Sequence, residues 1–304
     1  HDLPEIVARL EEPLADVSAL PLFYVCRAVA GEVKVALAGE GGDEVFGGYA
    51  RYAWDRYAQL LSHLPAARVA GLLERLPGLR DAAARGGRKH LGRRALKLLR
   101  TAELDPAARY FSWFALFDEH AKAELLAGGA LLPGERIFAA LLDSTPAGLT
   151  EFGRRQFVDL RSMLLANLLL KADRMSMAHS LELRVPLLDN AVVAAGLGLA
   201  DRRKVRGVKT KVALRELVAA RLPEAIARRP KQGFEVPIDR WLRDELAPLA
   251  RDLLSRERVA KRGLFDPEAV QRLLTRHQSG VAKHGLALYS LLSLELWHEQ
   301  VVEA

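Results

Sequence analysis

The sequence predicts an α/β fold that is predominantly helical and contains a small parallel sheet. Three observations lead to this prediction. Apolar residues alternate with lysine and alanine from Val33 to Ala38, which is the period of two expected of a strand. An apolar helical segment from Leu20 to Ala30 precedes this strand, and a glycine-rich loop and a helix follow it. This order of elements is typical of an α/β layer.

The later elements are predicted to be helices separated by proline-containing interruptions. A long helix is predicted over residues 156–178, and residues 185–189 interrupt the helical pattern because their proline lacks an amide donor. A second helix is predicted over residues 211–222. Residues 228–237 contain two prolines and a glycine and predict a loop. From Asp239 onward the apolar spacing predicts helices.

The composition indicates a globular protein and excludes several classes. The chain has 304 residues, of which 50% are hydrophobic and 27% are charged, unlike a disordered chain. Its longest apolar helical run, Met163 to Leu170, is shorter than the roughly 18 apolar residues of a membrane span. Cys26 is the only cysteine, which excludes an intrachain disulfide and favours the cytoplasm. The eight histidines show no metal-ligand spacing.

The charge balance favours anionic partners. Forty-five lysines and arginines against 38 acidic residues give a net charge of +7, which suits either nucleotides or nucleic acids. The densest basic run spans residues 85–100, but residues 91–102 repeat apolar side chains at helical spacing. No aromatic residue interleaves these charges to stack on bases. We interpret the run as an amphipathic helix with a solvated basic face. Residues 127–130 are rich in alanine and glycine and predict a surface loop.

The glycine-rich segment from Ala38 to Tyr49 is the strongest indication of a ligand site. Glycine permits positive φ angles and a close approach of ligand to backbone, and ligands bind beyond the carboxyl ends of parallel strands. The segment matches neither common nucleotide-binding glycine motif. Glu40, Asp43 and Glu44 would repel one another unless a cation lies among them, and Mg²⁺ prefers such oxygen ligands. A plain turn, with Asp43 capping the next helix, is the alternative.

Two further segments carry charges in unusual places. Ionisable residues occur inside an otherwise apolar stretch from Leu170 to Asp189, where each charge must be paired or serve a ligand. The alternative to a ligand site is a structural network that joins Asp173 or Glu182 to Arg174 or Arg184. Farther along, Lys231 lies in the proline- and glycine-containing loop. It could contact phosphate oxygens or remain a solvated loop lysine.

Three motifs resemble the synthetase domain of the glutamine-hydrolysing asparagine synthetase family. They read GEGGDEVFGGY over Gly39 to Tyr49, KADRMSMAHSLELRVPLLD over Lys171 to Asp189, and RPKQGFEVP over Arg229 to Pro237. Their order and spacing match, and the resemblance extends through essentially the whole chain. It implies a fold of the ATP-pyrophosphatase type, related to the adenine nucleotide α-hydrolases, with ATP and Mg²⁺ as cofactors.

The resemblance implies roles for individual residues. Asp43 matches the family's ligand to a Mg²⁺ that bridges ATP phosphates. The positions that match nucleotide-lining residues are Ala38, Gly39 and Gly41. Those that match catalytic residues are Glu40 beside the acyl-adenylate, Glu182 near the substrate and Lys231 at the departing phosphates. A metal and an ammonium aimed at the pyrophosphate would stabilise the charge that develops during adenylation.

One departure from the family pattern limits the expected activity. Members carry an SGGxDS loop that cradles pyrophosphate, and these 304 residues contain none. We therefore expect residues 1–304 to be a synthetase domain that is incomplete at its N-terminus and inactive alone. Glutamine hydrolysis is not expected, so ammonia would come from an N-terminal glutaminase domain, and a homodimer is among the expected assemblies.

The resemblance leaves the substrate open. Aspartate, converted to asparagine, is the expected substrate, but relatives of this family close β-lactams, cyclise peptides or amidate other carboxylates. Two other classes of function stay open, namely a basic nucleic-acid-binding protein and a non-catalytic binding domain.

Overall fold

The structure is a computed structural model that describes residues 2–63, 65, 69, 71, 96–128, 133–227 and 236–303. Helices dominate these residues, as predicted. Before residue 150 the helices are Leu3–Leu10, Ala19–Val29, Gly42–Phe46, Ala50–Leu61, Pro106–Ser112, Glu119–Leu125 and Glu135–Asp143. The later helices are Glu151–Asp159, Leu170–Met177, Asn190–Gly198, Asp201–Lys204, Val212–Ala219, Glu224–Ala227, Ile238–Trp241, Ala247–Leu253, Arg256–Arg262, Pro267–Gln278 and Gly285–Trp297. Two π-helical segments are Leu160–Leu169 and His298–Val302.

A two-stranded parallel sheet lies among the helices described. Strand β1 is Val35–Leu37 and strand β2 is Glu182–Arg184, and Val35 is the register partner of Glu182. The structure confirms the centre of the predicted strand and the parallel pairing. Strand β2 was not predicted, since its three residues are too few to show a period of two.

The long predicted helix is present, but it begins earlier than predicted and includes a π-helical segment. It runs from Glu151 through the π-helical segment to Met177. The sequence prediction missed its start, where Thr150 caps the helix by accepting a hydrogen bond from the Gly153 amide at 3.0 Å. Pro186 to Leu188 form one 3-10 turn after β2, as the predicted interruption requires.

The buried apolar side chains described form two clusters. The first packs the two N-terminal helices and the Leu170–Met177 helix against the helices that follow residue 237. Its fully buried members include Leu10, Phe23, Met175, Leu242 and Leu292. The second lies around the helices from Ala50 to Asp159, with Tyr52, Tyr110, Phe138, Val158 and Val205 at its centre. The sheet and the glycine-rich loop lie between elements of both clusters.

Buried charges hold the second cluster together. Asp159 accepts hydrogen bonds from two tyrosine hydroxyls and from Arg51 Nη2 at 2.8 Å. Asp55 is fully buried and binds Arg109 Nε at 3.1 Å and also Arg155 Nε. Burial raises the pKa of Asp159, and Arg51 offsets this only in part. Each carboxylate is compensated by arginine, which is what a buried charge requires.

Some predictions fall on residues outside the described ranges. These are most of the basic run, part of the predicted surface loop at 127–130, and Lys231 with its neighbours at 228–235. Residues 96–100 of the basic run are helical, and Leu98 is buried, as an amphipathic helix requires. Cys26 is buried in the Ala19–Val29 helix. Among the described helices, none has the length and apolar character needed to cross a membrane.

Candidate active site

The glycine-rich loop begins where β1 ends. The Ala38 amide donates to the Arg184 carbonyl at 2.8 Å, which extends the sheet by one hydrogen bond, and the chain then turns at Gly39. Gly41 has a φ of 83°, and a Cβ there would lie 2.1 Å from Leu188 Cδ2. Both the backbone angle and the close approach require glycine. A Cβ at Gly39 would meet no atom within 4 Å, so this part of the loop is open.

The turn after β2 packs directly on this loop. A Cβ at Gly42 would lie 2.7 Å from Leu187 Cδ1, just as Gly41 abuts Leu188. Asp189 then caps the next helix by accepting a hydrogen bond from the Ala191 amide at 2.9 Å. The first two sequence motifs therefore meet in space through neighbouring parallel strands and the turns that follow them.

Asp43 forms an ion pair that the sequence prediction missed. Its Oδ2 lies 3.2 Å from Lys211 Nζ, and the two side chains are 19% and 22% exposed. The N-cap of the Gly42–Phe46 helix is Gly41, without a side-chain hydrogen bond, so the alternative reading of Asp43 as a cap is wrong. A Cβ at Gly48 would lie 1.9 Å from Asp43 Oδ1 and 2.2 Å from Lys211 Cε. The pair occupies space that only glycine leaves free.

Glu40 is half-buried at the start of the loop, near the Ala19–Val29 helix. Burial raises the pKa of the Cys26 thiol, and the negative charge of Glu40 raises it further. A raised pKa keeps the thiol protonated and unreactive. Cys26 is buried in the Ala19–Val29 helix and packs there as a small apolar residue.

Glu182 and Arg184 form an exposed ion pair on β2. Arg184 Nε lies 2.7 Å from Glu182 Oε1, and both side chains are more than half exposed. They share the exposed face of the sheet with Val35 and Leu37, because alternate residues of a strand point to one side. One pair of the alternative structural network is thus present.

The other predicted members of that network are placed differently. Arg174 Nη2 binds Glu11 Oε2 at 2.7 Å and not a carboxylate of its own motif. Lys171, at the start of the motif, is buried and binds Asp16 Oδ2 and Ser18 Oγ, each at 2.6 Å. These contacts attach the start of the Lys171 to Asp189 motif to the N-terminal region of the chain, and they help to position β2, which lies in the same motif.

Buried hydrogen bonds around Glu44 stabilise the glycine-rich loop. Glu44 is 1% exposed and accepts a hydrogen bond from the Tyr49 hydroxyl. Burial raises the pKa of Glu44, and the hydrogen bond from Tyr49 lowers it only in part. Gln156 Nε2 donates to the carbonyls of Glu44 at 2.6 Å and of Val45 at 3.0 Å. Of the three loop carboxylates, Glu44 therefore serves the structure.

Among the loop carboxylates, Asp43 forms an ion pair with a lysine of the described residues, which makes it the candidate ligand for Mg²⁺. No cluster of three or more metal-binding side chains occurs within the described parts of the chain. Mg²⁺ is commonly held by one or two carboxylates together with substrate phosphates and water. A single carboxylate beside an open glycine turn fits a Mg²⁺ that arrives with a nucleotide. It does not fit a cage made of protein ligands alone.

A cavity of about 470 Å³ lies behind the loop. Its lining includes Tyr52, Arg56, Phe152 and Arg155, and it holds none of the predicted site residues. Phe152 also contacts the position of Gly47, so the cavity and the loop share one wall. The candidate active site is therefore the open surface at the end of the sheet and not this cavity.

Comparison with known proteins gives the same family as the motifs. The profile of the asparagine synthase family matches residues 1–299. The chain is 36% identical over 305 residues to "Putative asparagine synthetase (glutamine-hydrolyzing)" of Mycobacterium tuberculosis strain H37Rv, covering 99% of this chain and 44% of that protein. It is 31% identical over 303 residues to "Asparagine synthetase (glutamine-hydrolyzing) 1" of Bacillus subtilis strain 168, covering 100% of this chain and 46% of that protein.

The chain thus spans less than half the length of these curated relatives. No solved structure matches it. The family profile extends over nearly all of the chain, and it includes both motifs that the structure brings together. On these grounds, the chain belongs to the asparagine synthase family.

Proposed function

We propose that this chain is the synthetase part of a longer enzyme, an ATP-dependent carbon–nitrogen ligase that amidates a carboxylate. Aspartate is the proposed substrate and asparagine the product. Family membership and the names of the relatives support this assignment. The proposed fold type is that of the ATP-pyrophosphatases, for which the short parallel sheet followed by a glycine-rich loop is suitable.

The proposed reaction has two steps. A substrate carboxylate oxygen attacks the α-phosphorus of ATP, which gives an acyl-adenylate and releases pyrophosphate. Ammonia then attacks the acyl carbon, AMP leaves with the bonding electron pair, and the ammonium proton passes to solvent. In the proposed enzyme, ammonia comes from the hydrolysis of glutamine by a domain outside this chain.

The residues of the loop have separate proposed tasks. Ala38, Gly39 and Gly41 let the nucleotide approach the backbone, and Gly39 is open on its Cβ side. Asp43 would hold Mg²⁺, which supplies positive charge at the pyrophosphate when bound. Glu40 is the third residue after β1, where it is proposed to hold the ammonia or a proton near the acyl carbon.

The other two proposed catalytic residues lie outside the loop. Glu182 lies on β2, within one strand spacing of β1, and can orient the substrate end of the acyl group. Its pairing with Arg184 provides a cation that a substrate carboxylate could share. Lys231 is proposed to contact the departing phosphates, on the motif match alone.

The observation that carries the proposal is the packing of the second motif on the first. Leu187 and Leu188 fill the space beneath Gly42 and Gly41, and this holds the loop against the strand that bears Glu182. The loop residues proposed for the nucleotide lie at the carboxyl end of β1, and Glu182 lies on the neighbouring strand beside Val35.

Exchange of labelled pyrophosphate into ATP tests the proposal. The full product of the gene should catalyse exchange that depends on aspartate and Mg²⁺, and Asp43→Asn should reduce it at least 100-fold. Lys209→Met, at an exposed position on the segment before Lys211, is the matched control and should leave exchange unchanged. Exchange that survives Asp43→Asn would contradict the assignment of Asp43. Exchange that depends on another carboxylate would replace aspartate with that substrate.

The 304-residue chain alone is proposed to be inactive in this assay, because it contains no SGGxDS loop. Substantial exchange by the purified chain would contradict this part of the proposal. Pyrophosphate exchange by the full product of the gene tests the proposed activity. Its comparison with exchange by the 304-residue chain tests whether a further phosphate-binding segment is needed.

A further inference from the structure

Lys211 has a backbone conformation that its sequence does not favour. Its φ is 52° and its ψ is 39°, in the left-handed region that L side chains rarely adopt. Among the described residues, the other non-glycine residues with positive φ are Glu11 and Ser180. Unfavourable angles of this kind persist where the surrounding structure fixes them, and they are frequent at functional sites.

Two hydrogen bonds hold this conformation in place. The Lys211 amide donates to the Gly47 carbonyl at 3.2 Å, which attaches the residue to the end of the glycine-rich loop. The Arg215 amide donates to the Lys211 carbonyl at 2.8 Å, which begins the Val212–Ala219 helix. Lys211 is therefore fixed between the loop and a helix, and its side chain is directed toward Asp43.

The ammonium group of Lys211 lies where a metal bound to Asp43 would be expected. Nζ is 3.2 Å from Oδ2, and both side chains are about four-fifths buried. At position 48, glycine is the only residue type that leaves room for both side chains, since a Cβ there would overlap the Asp43 carboxylate and the Lys211 side chain. The ammonium group lies against Asp43 Oδ2, so a free divalent cation would have to displace it to bind that oxygen.

We propose that Lys211 is a resident cation that closes the Asp43 site to free divalent metal until a nucleotide binds. The phosphates of a nucleotide can accept the displaced ammonium, so that metal and nucleotide bind together and free metal binds poorly. This inference rests on the proposed nucleotide site at Asp43, and it makes Lys211 a positioning residue for the metal. It gives a functional reason for the left-handed backbone conformation of Lys211, which the resemblance to the family does not explain.

Binding of Mn²⁺ alone, followed by electron paramagnetic resonance, tests this proposal on the 304-residue chain. Lys211→Gly is the main variant, because glycine adopts a positive φ without strain and brings no ammonium. Lys211→Met is a second variant that keeps the length of the side chain. Both should bind Mn²⁺ at least tenfold more tightly than the wild-type chain. Lys209→Met, two residues earlier and exposed, should bind as the wild type does.

The double variant Asp43→Asn with Lys211→Gly shows whether the new affinity belongs to this site, and it should lose the gain. Equal Mn²⁺ affinity of the wild type and Lys211→Gly, including weak binding by both, would overturn the proposal. So would a gain that persists in the double variant. Thermal unfolding of each variant confirms that it is folded.

The titration contains no nucleotide, so its outcome is independent of whether the chain binds ATP. Binding of a fluorescent ATP analogue with Mg²⁺ to the full product of the gene tests the nucleotide site separately. A gain in Mn²⁺ affinity without nucleotide binding would retain the exchange of cations at Asp43 and contradict the proposed function. Nucleotide binding without a gain in Mn²⁺ affinity would support the proposed function and contradict the exchange of cations at Asp43.

Discussion

Gly41→Ala tests the contact on which the candidate site depends, the packing of the glycine-rich loop on the turn after β2. Gly41 has a φ of 83°, and placing an L side chain in this region costs about 1–2 kcal/mol. The new Cβ would also lie 2.1 Å from Leu188 Cδ2, so that Leu188 must move. Forcing an extra methyl into a packed site costs about 1–3 kcal/mol. The free energy of unfolding should therefore fall by about 2–5 kcal/mol.

Two further variants separate these costs. Leu188→Ala removes the atoms that the new methyl would meet, so the double variant keeps the backbone cost and the cost of truncating Leu188 but loses the overlap between the two side chains. It should be more stable than the sum of the two single effects by about 1–3 kcal/mol. Gly39→Ala is the matched control on the same loop. Its Cβ would meet nothing within 4 Å, and its effect should be within about 0.5 kcal/mol.

Urea-induced unfolding, followed by circular dichroism and by tryptophan fluorescence, measures each of these free energies. An unfolding midpoint of Gly41→Ala equal to that of the wild type would refute the packing described. Strict additivity of Gly41→Ala and Leu188→Ala would also refute it, because the two side chains would then not be in contact.

Two further predictions concern buried charges. Burial raises the pKa of Asp16, but the charge and hydrogen bond of Lys171, together with hydrogen bonds from Ser18, more than offset this, so the pKa lies below its usual value. The resulting stability is present above about pH 4 and is lost as the pH falls through the native pKa. Lys171→Met should therefore lose about 1.5–3 kcal/mol at pH 7 and less at pH 3, and a loss that is constant across urea titrations from pH 3 to 7 would contradict this. Asp55→Asn should cost about 3–5 kcal/mol, because it removes the buried carboxylate that binds Arg109 and that Arg155 shares with Glu151. Glu5→Gln, which removes an exposed ion pair, should cost less than about 0.5 kcal/mol, and similar urea midpoints for these two variants would show that the Asp55 network is not stabilising.

The sequence was sufficient where local patterns decide structure. The alternation of residues 33–38 placed β1, and glycine with proline located both turns that meet at the site. Strand β2 escaped prediction because Glu182 to Arg184 form a strand only by pairing with β1, and two of its three residues are charged. Tertiary pairing, and not local propensity, makes this segment extended.

The site was predictable in its composition but not in its pairing. The acidic glycine-rich loop and its position after β1 were predicted from the sequence, and so was Asp43 as a candidate Mg²⁺ ligand. Lys211 lies far from Asp43 in the chain, and no spacing rule links them. The segment before it, Gly207 to Thr210, resembles the end of a Walker phosphate-binding motif, but Arg202 stands where that motif has its first glycine, so the segment does not single out Lys211. The role of Lys231 stays a prediction, since it lies outside the described residues.

We propose that the acidic glycine-rich loop and Lys231 bind the phosphates of one nucleotide. Labelling of lysines in the full product of the gene with an acyl-phosphate derivative of ATP tests this most directly, because lysines beside the bound phosphates are acylated faster than other exposed lysines. Peptide mapping should find the label on Lys231, and both Mg²⁺–ATP and Asp43→Asn should suppress it. Labelling of Lys231 no greater than that of the exposed Lys283, or unaffected by Asp43→Asn, would contradict the claim.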